Sequence, residues 1–270
     1  KWLSKIINGE LQSTLAFTEP QSRFNLNDVA TVAKDNGDKV IINGKKSFVL
    51  NGKEADIIIV PARTSGSQTE TEGISLFVVE SDLPGISKNN YKSVDGHSAS
   101  EITFKNVEVN KDNLLGEIGK GYQTLESTID DATLAVCAEA TGIMKSLHDK
   151  TVEYSKNRVQ FGVPIGGFQA LQHRMVDTLM ACEETESILL WALTTNQDDS
   201  SSLKKAISGL KYQIGTAGKH VGQEAVQLHG GMGISWELDI AHFFKRLSSI
   251  EILFGNADFH MKRFLTLSNN

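Results

Sequence analysis

The sequence is short of the residues that would define several protein classes. It holds two cysteines and four prolines in 270 residues. Cys137 and Cys182 both sit in helix-like sequence, so a disulfide scaffold is excluded and the usage suits a reducing cytoplasm. The seven histidines are dispersed, with no HxH, HxxxH or CxxC spacing, which argues against a zinc site. No apolar run approaches the ~20 residues of a membrane helix. The opening Lys1-Trp2-Leu3-Ser4-Lys5-Ile6-Ile7 carries too little apolar sequence for a signal peptide. It has no initiator Met, so Lys1 is not read as the natural start. Positive charge is not in surplus: 27 Lys and Arg face 33 Asp and Glu, a net charge of −6. That argues against a chain that neutralises nucleic-acid phosphates, but it leaves room for a local basic pocket for a phosphorylated cofactor. Also missing are G-x-S-x-G, a P-loop, and G-x-G-x-x-G after a strand. At 40% hydrophobic and 22% charged residues the composition is globular, and the length suits two domains.

What is present falls into two halves that meet near Leu115-Gly116. In residues 1–115, short apolar stretches alternate with turn residues. Thr14 to Phe17, Val29 to Ala33, Val40 to Ile42, Lys46 to Leu50, Asp56 to Pro61, Gly73 to Val79 and Glu101 to Val109 read as strands. Asn36-Gly37-Asp38, Asn43-Gly44, Asn51-Gly52 and Pro84-Gly85 separate them. Asn43-Gly44 is the strongest hairpin signal, and Thr64 to Gly73 reads as a mobile polar loop. Strands at this spacing predict a β-barrel or sandwich. In residues 116–270 the period becomes helical. Leu125 to Asn157, Gly167 to Leu193 and Ser202 to Gln227 predict three long helices. Trp236 to Leu265 predicts two shorter ones joined near Gly255. On the second helix Phe168, Leu171, Met175, Leu179 and Cys182 share a face. Asp198 to Ser202 offers N-caps for the third. The fold class is α+β: a β-domain followed by an up-down four-helix bundle.

Taken singly, the candidate functional residues have plain readings. Thr18-Glu19-Pro20 is a common turn. Phe48 is core, or an aromatic platform for a cofactor. Arg158 is a helix C-terminal charge, or a fork for a pyrophosphate. Gln227-Leu228-His229-Gly230-Gly231-Met232-Gly233 is a glycine-stopped helix end, or a place where main chain touches a ligand.

Their order says more. Ala16-Phe17-Thr18-Glu19-Pro20 is followed by N-G-K-K-S-F-V-L-N-G, then R-V-Q-F-G-V-P-I-G-G-F-Q-A-L-Q-H-R, then Q-L-H-G-G-M-G-I. This resembles the acyl-CoA dehydrogenases, FAD-dependent enzymes that desaturate acyl-CoA thioesters, over nearly the whole chain. The resemblance implies a middle β-domain (1–115) and a C-terminal bundle (116–270), with the family's N-terminal helical domain absent. It implies a homo-oligomer or a hetero-oligomer with a paralogous subunit, an acyl-CoA substrate and an acceptor of the electron-transfer flavoprotein type. FAD is expected between the domains, completed by a neighbouring subunit. By position, Phe17 and Thr18 line the flavin edge, and Phe48 replaces a usual Trp. Leu50 stands where a Thr hydroxyl normally approaches the flavin. Arg158 and Phe161 reach the FAD of the adjacent subunit. Gln169, Gln172 and His173 are further flavin contacts. Gln227, Gly230 and Gly231 lie against the adenosine and pyrophosphate. Asn256 and Asp258 occupy polar contact positions, although Asp258 is a poor neighbour for a pyrophosphate.

The same resemblance exposes a missing base. The chemistry needs a carboxylate to remove the acyl α-proton. In the family this is usually a Glu directly before a Gly, and here Phe254 precedes Gly255. A second family position falls at Ala132. Asp130 and Asp131 directly precede it, but one helical step turns a side chain by ~100°, and their plain reading is a solvated helix face. Asp131 is the remaining candidate, and Thr133 replaces an Arg often found there. Arg23 in a lengthened turn after Pro20, Lys245-Arg246 and the 254–260 segment resemble the small subunit of pimeloyl-CoA dehydrogenase. The implied function is α,β-desaturation with hydride transfer to flavin. The alternative is a non-catalytic scaffold completing a paralogue's FAD site.

Overall fold

The computed structural model describes residues 2–196 and 199–269. Contacts divide the chain into two compact units, Lys1–Thr128 and Ile129–Asn270.

The first unit opens with a short helix, α1 (Leu3–Ile7). Its strands are β1 (Ser13–Leu15), β2 (Val32–Asn36), β3 (Lys39–Leu50), β4 (Ile57–Arg63), β5 (Ile74–Glu80), β6 (Ile86–Lys92), β7 (Ser98–Asn110) and β8 (Leu114–Leu115). They form one eight-stranded sheet in the order β6-β7-β3-β2-β4-β5-β8, with β1 alongside β4. Residues from across the sheet, including Ala16, Ile42, Ile58, Phe77, Ile102 and Val107, are buried in one cluster, with Ile86 and Leu114 of the edge strands packed against it. Burying both ends of the sheet in one core requires it to curl.

The strongest hairpin signal proves not to be a turn. The observed hairpin is at Gly37-Asp38, where Asn36 pairs with Lys39. Asn43-Gly44 lies inside the twelve-residue β3. A Cβ on Gly44 would stand 2.3 Å from Thr31 Oγ1, so this glycine serves close approach of main chain rather than reversal. Asn43 Oδ1 accepts the Asn106 amide at 2.8 Å. Its partner Asn106 has φ 52° on a β7 bulge where the register shifts. The 64–73 segment, expected as a mobile polar loop, is held by Arg63 at the end of β4. It wraps the Arg63 guanidinium, which donates to the carbonyls of Asn27, Gln68, Glu70 and Glu72 at 2.7–2.9 Å. Strand β6 escaped the sequence reading because its ISKNNYK pattern is polar and mostly exposed.

The second unit contains most of α2 (Tyr122–Asn157), then a small hairpin of β9 (Val159–Gln160) and β10 (Val163–Pro164). The helices α3 (Gln169–Thr194), α4 (Ser200–His229), α5 (Asp239–Ile252) and α6 (Ala257–Ser268) follow. These match the expected helices and the break near Gly255. Asp199 caps α4 through the Ser202 amide at 3.1 Å; Asp198 lies outside the described residues. Cys137, Met144 and Leu147 of α2 pack with Cys182 of α3, Leu210, Ile214 and Val221 of α4, and Leu247 and Ile250 of α5. Arg263 forks onto Asp130 at 2.5 and 2.8 Å, tying α6 to α2. The face expected on α3 is displaced. Thr178, Cys182, Thr185 and Ala192 are buried, whereas Phe168 and Leu179 are 38% and 41% exposed. Hydroxyls hide the true stripe: Thr185 returns its proton to the Ala181 carbonyl at 2.7 Å and so is tolerated in a core.

Gly44→Ala is expected to cost about 2–3 kcal/mol through overpacking. Gly37→Ala, at φ 68° with nothing within 4 Å of a Cβ, should cost about 1 kcal/mol. Urea unfolding of the two variants checks the ranking, which reverses if Asn43-Gly44 is the turn.

Candidate active site

In the strand-rich unit the candidate residues surround a buried ion pair. Thr18-Glu19 follows β1 as the chain leaves the sheet. Glu19 and Lys46 are both buried, with Nζ 2.6 Å from Oε1. Glu19 also accepts the amides of Ala30 at 2.8 Å and Thr31 at 3.1 Å, and the Gln21 side chain at 3.0 Å. Burial works to raise the Glu19 carboxyl, but the Lys46 charge and these hydrogen bonds hold it below its ordinary value. One residue away, the Ser47 amide donates to the Thr18 carbonyl at 2.9 Å. Beyond it β3 bulges, with Ser47-Phe48 opposite Glu101. Phe48 takes φ 50°, a costly region for an aromatic residue. Glu101 holds the bulge by accepting the Phe48 amide at 3.2 Å, Ser47 Oγ at 2.9 Å and Tyr91 Oη at 3.1 Å. The Phe48 and Tyr91 rings are tilted, 6.5 Å apart. Phe17, Thr18, Phe48 and Leu50 are all half-buried. The Leu50 carbonyl accepts Thr14 Oγ1 at 2.5 Å. Arg23, also left-handed at φ 47°, is exposed on the following turn.

In the helical unit the candidates gather at one end. The Tyr154 ring near the end of α2 stacks on His229 at the end of α4, centroids 4.2 Å apart. This brings the hairpin after α2 and the Gly230-Gly231 segment to the same end. The hairpin turn is Phe161-Gly162, with φ 56° and 79°, as a two-residue primed turn requires. Phe161 is 92% exposed at its tip, 6.1 Å from the Phe168 ring. Arg158 is exposed, and no ion pair holds it among the described residues. Gln169, Gln172 and His173 are exposed on the first turns of α3, and Gln172 Nε2 donates to the Gly166 carbonyl at 2.8 Å. Gln227 is exposed, and a Cβ on Gly230 or Gly231 would meet nothing within 4 Å. The glycine backbone therefore lies open to a ligand. Gly233 is different, since its Cβ would strike the Val226 carbonyl at 2.5 Å.

The corner where a base is sought is built around two buried nitrogens that sequence reasoning did not single out. Lys211 of α4 donates to the carbonyls of Glu251 at 2.8 Å and Gly255 at 2.6 Å. His260 of α6 has Nε2 3.0 Å from the Phe254 carbonyl, which makes Nε2 the protonated nitrogen. Burial brings Lys211 down to about 8 and His260 to about 3, so the imidazole is neutral. Phe254 is left-handed at φ 59°. Gly255, at φ 117°, leaves no room for a Cβ beside His260 Nε2. Asn256 Oδ1 caps α6 at the Phe259 amide, 3.0 Å away. The signal in the sequence was Lys211 itself, a cation in step with Ile207 and Ile214 on the buried face of α4.

The carboxylates near this chemistry separate. Asp130 is buried and neutralised by Arg263, so the solvated-face reading fails for it. Asp131 and Asp258 are exposed. Thr133 is buried and donates to the Ile129 carbonyl at 2.6 Å. Lys245 and Arg246 have local roles: Lys245 lies 3.7 Å over the Trp236 ring, and Arg246 forks onto Glu139 at 2.6 and 2.8 Å.

The eight-stranded sheet of the first unit and the helices of the second make this a two-unit α+β protein. The chain belongs to the acyl-CoA dehydrogenase family: residues 14–107 match its middle domain and 119–265 its C-terminal domain. Among curated proteins it is 32% identical to a 3-(aryl)acrylate reductase from Clostridium sporogenes, over 96% of this chain and 69% of that protein. It is 31% identical to a caffeyl-CoA reductase–Etf complex subunit from Acetobacterium woodii, over 91% of this chain and 65% of that one. An acyl-CoA dehydrogenase structure from Geobacillus kaustophilus superposes with a TM-score of 0.94 at 30% identity, covering 100% of this chain and 72% of that one. The chain thus spans about two thirds of the length of these curated relatives. Among the described residues no helix is long and apolar enough to cross a membrane.

Lys211 gives a pH test with a fixed sign. Its amine falls from an ordinary 10.5 to about 8 on folding. Between those values the unfolded chain binds a proton that the folded protein does not, so stability should rise with pH, by at most about 1.4 kcal/mol per unit. Urea unfolding of wild type and Lys211→Met from pH 7.5 to 10.5 checks it, and the rise should be smaller in the variant, where Lys46, also lowered by burial, still contributes.

Proposed function

We propose that this chain is the catalytic core of a cytoplasmic, FAD-dependent acyl-CoA dehydrogenase subunit. It would desaturate a thioester between its α and β carbons and pass electrons to an acceptor of the electron-transfer flavoprotein type. The observation that carries the reading is the bundle end. Arg158, with its planar fork, suits a pyrophosphate. Phe161 is held in a strained turn with almost its whole ring in water, and the backbone of Gly230 and Gly231 admits close approach. These groups, with Gln169, Gln172, His173 and Gln227, would hold the nucleotide part. In the other unit Phe17, Thr18, the Phe48 bulge and Leu50 would face the ring system. Asn256 would contact it through the atoms its cap leaves available. When bound, a flavin supplies the acceptor for the β-hydrogen as hydride.

The chain's own residues must bind the thioester and take its α-proton. Phe254 has no basic atom and Asp130 is engaged by Arg263, which leaves exposed Asp131 as this chain's candidate. A second reading follows from Phe254: a scaffold subunit that completes the FAD site of a paralogue carrying the Glu. If Arg23, Lys245-Arg246 and the 254–260 segment mark a branch resembling the pimeloyl-CoA dehydrogenase small subunit, that hetero-oligomeric form follows.

Anaerobic titration of the full-length protein with acyl-CoAs of increasing length should bleach the flavin absorption. Asp131→Asn should slow bleaching at least tenfold, and Arg158→Ala should lower FAD retention at least tenfold. Unchanged bleaching in Asp131→Asn removes that residue as base. Bleaching only after co-expression with a Glu-bearing paralogue establishes the scaffold.

A further inference from the structure

The buried pair Glu19–Lys46 sits beside two residues read as lining the flavin. Glu19 follows Thr18 directly, and Lys46 lies two residues before Phe48. Between them runs one main-chain bond, Ser47 N to Thr18 O, 2.9 Å. The side-chain pair at 2.6 Å therefore closes a second link, one residue after Thr18 and one before Ser47. The far side of the bulge is fixed by Glu101, which accepts both the Phe48 amide and the Ser47 hydroxyl. Every link converges on a stretch in which Phe48 is forced to φ 50°, a conformation that persists only when its surroundings over-determine it.

A buried ion pair is weak evidence of a contribution to stability, because apolar residues of similar volume often do as well. What it supplies is direction. Lys46 has Glu19 as its hydrogen-bond partner, and Glu19 divides its oxygens among Lys46, Gln21 and the amides of Ala30 and Thr31. The carboxylate thus fixes the register of the Thr18 segment against both β3 and the chain entering β2.

We propose that Glu19 and Lys46, with Glu101 on the opposite side, are positioning residues that hold the Thr18 carbonyl and the Phe48 main chain and ring in the geometry that receives the flavin. The inference rests on the flavin reading above, and its test separates the two. The paired variant Glu19→Gln/Lys46→Met keeps an amide-accepting oxygen at 19 and leaves no unpaired buried charge. In full-length protein freed of flavin, hydrogen exchange at the Ser47 and Phe48 amides should speed up at least tenfold, while β4 and β5 amides keep their protection. FAD should bind at least tenfold more weakly, with a shifted flavin absorption maximum. These losses should appear with a thermal midpoint near that of wild type, which a role in stability alone would not produce. A folded paired variant with wild-type exchange at both amides and wild-type FAD affinity overturns the proposal. If that variant does not fold, Glu101→Gln decides by the same two readouts. It should speed exchange at Phe48 and weaken FAD, and wild-type values of both overturn the proposal. Should the wild-type protein take up no FAD at all, the flavin reading fails, while the exchange data still report whether the clamp holds the bulge.

Discussion

A charge taken out of water must be met by other polar groups, and this chain places that demand at the joints of its fold. Glu19 and Lys46 are fully sequestered in the strand-rich unit, and two backbone amides share the carboxylate. Truncating one member of such a pair leaves an uncompensated charge, typically at ~3–5 kcal/mol. The pair therefore permits one alignment of the segment after β1 with β3. The bulge at Phe48, the Thr18–Ser47 bond and the path of the chain into β2 all follow from that alignment.

The helical unit uses the same device differently. Lys211 is buried with main-chain carbonyls as its partners, at the C-terminal end of α5, where the helix dipole favours a cation. Together with His260 it satisfies carbonyls that the break between α5 and α6 would otherwise orphan. The result is a sharp, left-handed Phe254-Gly255 corner with each of those carbonyls engaged. Asp130–Arg263 locks the other end of the same packing, α6 against α2. A carboxylate that looks available beside Ala132 is thereby spent on structure. This argues that base chemistry at this corner, in this chain or a partner, does not come from Asp130.

Much of the fold was legible because the information is local. The change from short alternating strands to helical periodicity near Leu115, the three long and two shorter helical segments and the break near Gly255 each reside in adjacent residues. Where reading failed, a residue type had two physical uses. Asn43-Gly44 looked like a reversal because glycine serves turns, yet here it makes room for Thr31. The face read on α3 counted only apolar residues and so left out Thr178 and Thr185, yet hydroxyls that bond their own helix can be buried. The loop at 64–73 looked mobile because it is polar, yet Arg63 organises its carbonyls from beneath.

The candidate site divides along the same line. The sequence by itself determined which residue types stand in the family's order: Arg158, Phe161, Gln227, Gly230 and Gly231, and a Phe at 254 where a carboxylate is usual. Order along the chain and local turn chemistry are enough for that. Only the tertiary structure decided that Glu19 belongs to Lys46, Asp130 to Arg263 and Lys211 to the 254–255 corner. Those partners lie 27 to 133 residues apart. No pattern of spacing encodes them, because the cost of burying a charge is settled only when the chain has closed and the partner is within reach.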